Sequence, residues 1–182
     1  MSAIRSVCVF CGAQNAVDAK FLEMGAAFGA AMAAQGIKLV YGGGNCGVMG
    51  AVANASLKAG GHVTGVFPIS LRNIENEHRG LSEIVIVGSM HERKKLMFDL
   101  SQAFVVLPGG FGTLDEMFEI LTWRQLQLHN KPIIIVNYAG YWTPLIALMD
   151  EIIRERFAPL ETAKFYQVVE HPHQAFELLR EK

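Results

Sequence analysis

The sequence predicts an α/β protein of the Rossmann-like, doubly wound class, in which helices flank a mostly parallel sheet. Short apolar runs alternate with longer amphipathic or alanine-rich stretches along the chain, and this is the pattern of strands joined by crossover helices. Two glycine-rich turns, at 42–50 and 109–112, each join an apolar run to a helical pattern. A doubly wound sheet binds its ligand at turns of this kind.

Length and composition favour one domain over residues 1–182. A chain of 182 residues with 51% hydrophobic content can bury a good core and is too short for two ordinary domains. The net charge of −1 attracts neither nucleic acid nor an anionic membrane, so neither partner is expected. With no apolar segment long enough to span a bilayer or direct export, a cytoplasmic protein is expected.

The three cysteines are expected to be reduced thiols, not metal ligands. Cys8 and Cys11 have the spacing of a CxxC motif, but Cys8 lies inside an apolar run that a strand would bury. No second CxxC or nearby His pair supplies the remaining zinc ligands. His171 and His173 flank a proline and are predicted to be turn residues.

Periodicity places seven strands and six helices along the chain. Strands are predicted at 6–10, 37–41, 62–66, 84–87, 103–107, 133–137 and 166–169. Helices are predicted at 17–35, 48–59, up to about 100, from near 113 to about 128, 142–156 and 174–180. In the first helix, Gly25 and Gly29 are expected to let the helix approach the sheet closely. The polar segment 67–82 is either a flap over the ligand pocket or a plain solvated loop.

The strongest local signal is the turn after the fifth strand, Leu-Pro-Gly-Gly-Phe-Gly-Thr-Leu-Asp-Glu at 107–116. Gly109, Gly110 and Gly112 can take positive φ and let backbone N–H groups approach an anion closely. A helix starting near Thr113 adds unpaired amides and the positive end of its dipole, so the turn predicts a phosphate site. Thr113 either caps that helix or donates its hydroxyl to the phosphate. Glu116 either completes a capping box or presents a carboxylate beside the phosphate.

The second glycine turn, 42–50, is predicted to be the other side of a nucleotide pocket. Residues 42–47 fit G-x-G-x-x-G, but the following strand ends without the acidic residue that holds a ribose, which disfavours an NAD enzyme. No Gly-Lys-Ser/Thr follows either turn, so the Walker pattern fails.

Three cations stand near the start of the third helix, where they oppose the helix dipole. Because this arrangement is unfavourable for the helix, it suggests that one of the cations has a functional role. Either Arg93 or Lys94 is expected to face the pocket and supply the positive charge that the overall composition lacks, whereas Lys95 is expected to be solvated.

Together these motifs resemble those of the LOG (Lonely Guy) family, the cytokinin riboside 5′-monophosphate phosphoribohydrolases once called lysine decarboxylases. Residues 108–116 match its PGGxGTxxE motif, and further blocks at 9–12, 41–44, 47–50, 89–94, 122–126 and 129–132 follow in family order. Phe111 replaces the usual Tyr and Asp115 the commoner Glu, and segment 67–82 is longer than in the plant members.

The resemblance implies hydrolysis of the N-glycosidic bond of a nucleoside 5′-monophosphate, AMP or its N6-isopentenyl derivative, to free base and ribose 5-phosphate. Glu116 would stabilise the oxocarbenium-like ribose or activate water. The family's catalytic arginine corresponds to Arg93, which would orient that carboxylate and the ribose or balance charge on the departing base. The substrate-binding residues implied are Gly43, Gly44, Glu75, Met90, Lys94, Gly109, Gly110, Phe111, Gly112, Thr113, Leu114 and Asp115.

The resemblance calls for no metal or organic cofactor. It implies a homodimer whose pockets draw on both subunits, with the helix around Trp123 and Arg124 as one candidate interface. A lysine decarboxylase would need a Schiff-base lysine for pyridoxal phosphate, and no lysine here has a supporting pattern. A non-catalytic nucleotide or cofactor carrier, like the molybdenum cofactor carriers that resemble this family, is the main alternative, although a carrier does not require Arg93 and Glu116.

Overall fold

Seven short strands form the frame of the protein in the computed structural model, which describes residues 4–72 and 76–180. The strands are β1 Ser6–Phe10, β2 Lys38–Tyr41, β3 Val63–Pro68, β4 Glu83–Val87, β5 Ala103–Val106, β6 Ile133–Val136 and β7 Gln167–Val169. They lie in one sheet in the order β4-β3-β2-β1-β5-β6-β7. Every neighbouring pair is parallel, which confirms the predicted fold class.

Six helices cover the two faces of this sheet. They are α1 Ala19–Ala34, α2 Gly47–Lys58, α3 Met90–Asp99, α4 Phe111–Gln125, α5 Thr143–Arg154 and α6 Pro172–Arg180. Helices α1, α2 and α6 pack on the face that carries Val7 and Val9, while α3, α4 and α5 pack on the face that carries Cys8 and Phe10. None of the described helices is long and apolar enough to cross a bilayer.

Strands β5 and β6 are buried on both faces. Both read as unbroken apolar runs, because a strand covered by helices on each side has no solvent-facing position for polar residues. Burial of each Val or Ile there contributes about 1.5–3 kcal/mol. The edge strand β4 is half-exposed instead, and Ile84 and Ile86 are among its exposed residues.

The glycines of α1 bring it against α2 rather than against the sheet, so the predicted contact was wrong. A Cβ atom on Gly29 would lie 2.0 Å from the carbonyl oxygen of Val52, and one on Gly25 would lie 2.9 Å from Val48. The two helices therefore pack closely, with Gly29 against the backbone of Val52 and Gly25 against the side chain of Val48.

The sheet order creates a crevice beside the central strand. From β1 the chain moves outward through β2, β3 and β4, and then returns to place β5 on the opposite side of β1. The connections after β1 and β5 therefore leave toward opposite faces, and a doubly wound sheet binds its ligand at this switch point. The two connections touch where the Gly12 N–H donates to the Pro108 carbonyl at 3.1 Å.

Candidate active site

A cavity of about 420 Å³ opens at this switch point, which is within the size range of small-ligand pockets. Four connections contribute to its wall. They are residues 11–14 after β1 with the first turns of α1, the N-terminus of α2, the turn 108–113 after β5, and Tyr141 after β6. Arg93 from α3 and Glu116 from α4 supply its charged groups.

The turn after β5 is built for close approach, although its glycines do not use the positive φ that glycine allows. None of Gly109, Gly110 and Gly112 is among the left-handed residues. A Cβ atom on Gly109 would lie 2.1 Å from Thr113 Oγ1 and 2.8 Å from the Gly12 nitrogen. Gly110 and Gly112 have nothing within 4 Å of that position, so the backbone there stays open to a ligand.

Helix α4 begins at Phe111 with Gly110 as its N-cap, two residues earlier than predicted. Thr113 is therefore inside the first turn and is not the cap, and the proposed capping box with Glu116 is wrong. The cap makes no side-chain hydrogen bond. The first amides of such a helix have no intrahelical acceptor, so those of the 110–113 turn are available to an anion in the cavity.

Arg93 lies almost buried between α3 and the second glycine turn. Its side chain is 6% exposed, and Nη2 donates to the Gly42 carbonyl at 3.1 Å. A Cβ atom on Gly42 would lie 1.7 Å from that nitrogen, so only glycine leaves room for the guanidinium. Met90 contacts the other terminal nitrogen through its sulfur at 3.8 Å. Arg93 therefore lines the cavity, as one of the two sequence-based alternatives predicted.

Glu116 is 9% exposed and faces the same cavity as Arg93. Both charges act on the Cys11 thiol that lies beside them. Burial raises the pKa of Cys11 strongly, the charge of Glu116 raises it further, and that of Arg93 lowers it. The thiol is therefore neutral and unsuited to nucleophilic attack. Cys8 and Cys11 are buried and free, which confirms the prediction for these two thiols.

Lys94 turns away from the cavity and joins α3 to α4. Its ammonium lies 3.1 Å from Asp115 Oδ2 and 3.2 Å from Glu119 Oε1. Burial alone would lower the pKa of Lys94, but its bonds to the two carboxylates outweigh burial and raise it. Lys94, Leu114 and Asp115 are not among the residues that line the cavity, although the sequence suggested them as substrate contacts.

Gly43, Gly44 and Met90, which the sequence also suggested as substrate contacts, do not line the cavity either. The carbonyl of Gly43 accepts the His78 N–H at 2.9 Å, and Gly44 pairs with Glu77 in an isolated antiparallel bridge. The described part of segment 67–82 therefore folds onto the second glycine turn. Glu75 lies outside the described residues.

Several wall residues were not predicted. The Tyr141 hydroxyl donates to the Gly109 carbonyl at 2.7 Å, and its ring meets Phe21 edge to face at 5.4 Å. Gln14, Val17 and Phe21 come from the turn after β1 and the start of α1. The position of that turn directly after a central strand is a sequence signal that could have placed these three residues at the cavity. No sequence signal could have placed Tyr141 there, because only the sheet order brings the end of β6 beside the end of β5.

Within residues 4–72 and 76–180, no cluster of three or more His, Cys, Asp or Glu side chains could hold a metal ion. What the crevice offers is a glycine turn, a helix N-terminus, and a buried carboxylate and guanidinium. These features define the class of α/β proteins that bind a phosphorylated nucleoside or sugar at the switch point of a parallel sheet.

Comparison with known proteins identifies the family. A family model described as "Possible lysine decarboxylase" matches residues 49–179. A protein of Rhodococcoides fascians named cytokinin riboside 5′-monophosphate phosphoribohydrolase is 46% identical over 84% of this chain and 78% of its own length. A rice (Oryza sativa subsp. japonica) protein with the same name, qualified as probable and called LOGL9, is 43% identical over 87% of this chain and 70% of its own. The chain belongs to this family, as its motifs indicated.

Solved structures with the same fold include two proteins of a different described role. A molybdenum cofactor binding protein from Rippkaea orientalis has a TM-score of 0.75 at 21% identity, covering 97% of this chain and 96% of that one. The molybdenum cofactor carrier protein of Chlamydomonas reinhardtii has a TM-score of 0.74 at 19% identity, covering 98% and 99%. At these identities the likeness concerns the fold alone.

Proposed function

We propose that this protein hydrolyses the N-glycosidic bond of a nucleoside 5′-monophosphate, AMP or an N6-substituted AMP, to free base and ribose 5-phosphate. The observation that carries the proposal is the convergence of Glu116 and Arg93 on a cavity whose rim is a helix N-terminus and glycine turn. The relatives named phosphoribohydrolases support the same reaction.

Each part of such a substrate has a matching part of the cavity. The open amides at Gly110 and Gly112 fit the 5′-phosphate, because the first turn of α4 favours negative charge. Glu116 follows in the second turn of α4, a short step from those amides, which suits a ribose attached to the phosphate. The rings of Phe21 and Tyr141 offer an apolar surface for a planar base.

The chemistry follows from where charge develops. As the bond to the base breaks, the anomeric carbon becomes positive, and a carboxylate beside it stabilises that charge or accepts a proton from the attacking water. Arg93 lines the same cavity, where its positive charge balances negative charge on the departing base. Burial of both groups strengthens these interactions, since the local dielectric is low.

The test is release of adenine from AMP by the wild type and by Glu116→Gln and Arg93→Ala. Each substitution should lower kcat at least about a hundredfold, the usual scale for a general acid or base. Ribose 5-phosphate binding should stay near the wild-type value, because the phosphate turn is unchanged. Wild-type binding of AMP without release of adenine would indicate a carrier instead, and undiminished turnover by Glu116→Gln would refute the assignment of the carboxylate.

We also propose that the protein is cytoplasmic and forms a homodimer through the outer face of α4. Trp123 and Arg124 already have partners within the chain: the Trp123 ring packs on Phe98 at 5.0 Å, and Arg124 donates to the Lys131 carbonyl. The exposed apolar side chains of this region are Phe118, Leu126 and Leu128. These three supply the apolar surface that a second copy would cover.

A further inference from the structure

The second glycine turn is held in place by a short strap, residues 76–80. Two backbone hydrogen bonds join them. The His78 N–H donates to the Gly43 carbonyl at 2.9 Å and the Asn45 N–H donates to the Asn76 carbonyl at 2.8 Å, and together they form the antiparallel bridge between Gly44 and Glu77. Gly43 has a φ of +78°, a conformation that glycine adopts readily and other residues rarely. Because glycine is free to take other conformations as well, the two hydrogen bonds restrict the turn to this one.

The side chain of His78 holds the strap through hydrogen bonds of both ring nitrogens. Its ring is 5% exposed, and Nδ1 accepts the Gly80 N–H at 3.1 Å. Nδ1 therefore carries no proton, so Nε2 carries it and donates to Asn54 Oδ1 at 3.0 Å. The Asn54 amide in turn donates to Asn45 Oδ1 at 2.9 Å. This relay runs from the strap through α2 into the glycine turn, and it requires a neutral imidazole.

The same turn holds Arg93. The Gly42 carbonyl, one residue before the bonded Gly43, accepts from Arg93 Nη2 at 3.1 Å. A carbonyl in a glycine turn has little intrinsic rigidity, so its direction depends on what anchors the following residues. In this chain the strap supplies that anchor.

We propose that His78 is a positioning residue for Arg93: its neutral ring fixes the strap, the strap fixes the second glycine turn, and the Gly42 carbonyl of that turn aims the guanidinium into the cavity. This inference rests on the proposed function, because it assigns His78 to the same reaction. His78 touches neither the cavity wall nor the reacting atoms.

Protonation of the His78 ring should free the strap from the second glycine turn. A second proton on the ring would remove the acceptor for the Gly80 N–H. Burial lowers the pKa of His78, so the neutral form is favoured in the folded strap. This stabilisation is present above the ordinary histidine pKa of about 6.5 and is lost as the pH falls through the lower folded value.

The charged groups around the ring do not oppose this behaviour. On the strap these are Glu77, which pairs at 3.1 Å with Arg72 from before the strap, and the exposed Arg79. From α2 the facing group is the uncharged amide of Asn54, and from the glycine turn it is the uncharged Asn45. Among the described residues, no charged side chain is a cause of the lowered pKa of His78.

The kinetic test compares His78→Ala and His78→Gln with the wild type. Loss of the relay in His78→Ala should lower kcat about tenfold with KM for AMP within about twofold, since misplacing a catalytic group costs rate more than binding. Glutamine keeps an N–H donor for Asn54 and does not titrate. His78→Gln should therefore recover most of kcat, and it should lack the decline in kcat that we expect of the wild type as the pH falls below the ordinary histidine pKa of about 6.5.

A matched control is available in His129. Its Nδ1 also accepts an N–H two residues ahead, from Lys131 at 3.1 Å, and its Nε2 lies 2.8 Å from the Ile120 carbonyl. Burial lowers the pKa of His129 as well. His129→Gln should keep the wild-type pH profile of kcat. A profile unchanged in His78→Gln, or changed equally in both variants, would overturn the proposal.

A second measurement is independent of turnover. The Nε–H resonance of Arg93, identified by its loss in Arg93→Lys, should shift in the wild type as His78 protonates and should not follow that titration in His78→Gln. An Arg93 resonance that titrates identically in both proteins refutes the positioning role. If the wild type releases no adenine, the proposed function fails, while this spectrum still decides whether His78 positions Arg93.

Discussion

At the scale of single residues, the site depends on groups whose importance comes from what they touch. Glu116 and Arg93 could be selected from the sequence because the family resemblance points to both, and because Arg93 opposes the dipole of its own helix. Gly109 was selected for its conformational freedom and for close approach to an anion, whereas the structure shows no positive φ there and places Gly109 against Thr113 and Gly12. Tyr141 could not be selected, because its partner Gly109 is 32 residues away in the chain.

Gly109→Ala should test this close contact. Its Cβ atom would meet Thr113 Oγ1 at 2.1 Å and the Gly12 nitrogen at 2.8 Å, and overpacking of this kind costs about 1–3 kcal/mol. Urea unfolding should show that loss, and calorimetry should show weaker ribose 5-phosphate binding. Gly112→Ala is the control for stability, because the position is open and helical and the change should cost nothing. Equal stability of the two variants would contradict the steric account.

At the scale of secondary structure, the helices of the site are positioned by contacts that the sequence did not reveal. The start of α3 was predicted to be crowded with cations, but Ser89 caps it and Glu92 accepts the Gly88 N–H at 2.7 Å. The misfit with the dipole is therefore smaller than the sequence suggested. Arg93 and Lys94 are adjacent, yet they point to different places, because neighbouring helical residues project about 100° apart.

Lys94→Met should separate stability from binding. Removing the link from α3 to Asp115 and Glu119 should cost about 1 kcal/mol of unfolding free energy, since Asp115 is largely exposed and such pairs are weak. AMP binding should be unchanged, because Lys94 does not line the cavity.

The pH dependence of that cost follows from the raised pKa of Lys94. The stability that the pair contributes is fully present below the ordinary lysine pKa of about 10.4 and is lost as the pH rises through the folded value. The difference between wild type and Lys94→Met should therefore shrink in strong alkali. Lys95→Met, at an exposed pair with Asp99, is the control and should cost less. A large fall in AMP affinity in Lys94→Met would show that Lys94 does contact the substrate, and would contradict this assignment.

At the scale of the whole molecule, the crevice is a property of strand order. The alternation of strands and helices predicts a doubly wound sheet, but many orders satisfy that alternation. Only the placement of β5 beside β1 brings residues 11–14 against the turn 108–113.

The proposed dimer can be tested by light scattering. The wild type should have twice the chain mass of 20.0 kDa, and Leu126→Lys with Leu128→Lys should shift it toward the monomer by burying charge in an apolar contact. Leu148→Lys on α5 is an exposed apolar control that should leave the mass unchanged. A monomeric wild type would refute the interface and leave the chemistry of the cavity intact.

The sequence by itself determined the fold class, and it singled out the glycine turn after β5, Glu116 and Arg93, which the structure brings to one cavity. Short stretches of sequence carry these features, through the periodicity of hydrophobic residues and through glycines that follow apolar runs. The tertiary structure alone decided which neighbours meet: the aromatic wall of Phe21 and Tyr141, the outward turn of Lys94, and the strap that anchors the second glycine turn. These contacts join residues far apart in the chain, and their partners are set by strand order and helix rotation, which local preferences do not specify.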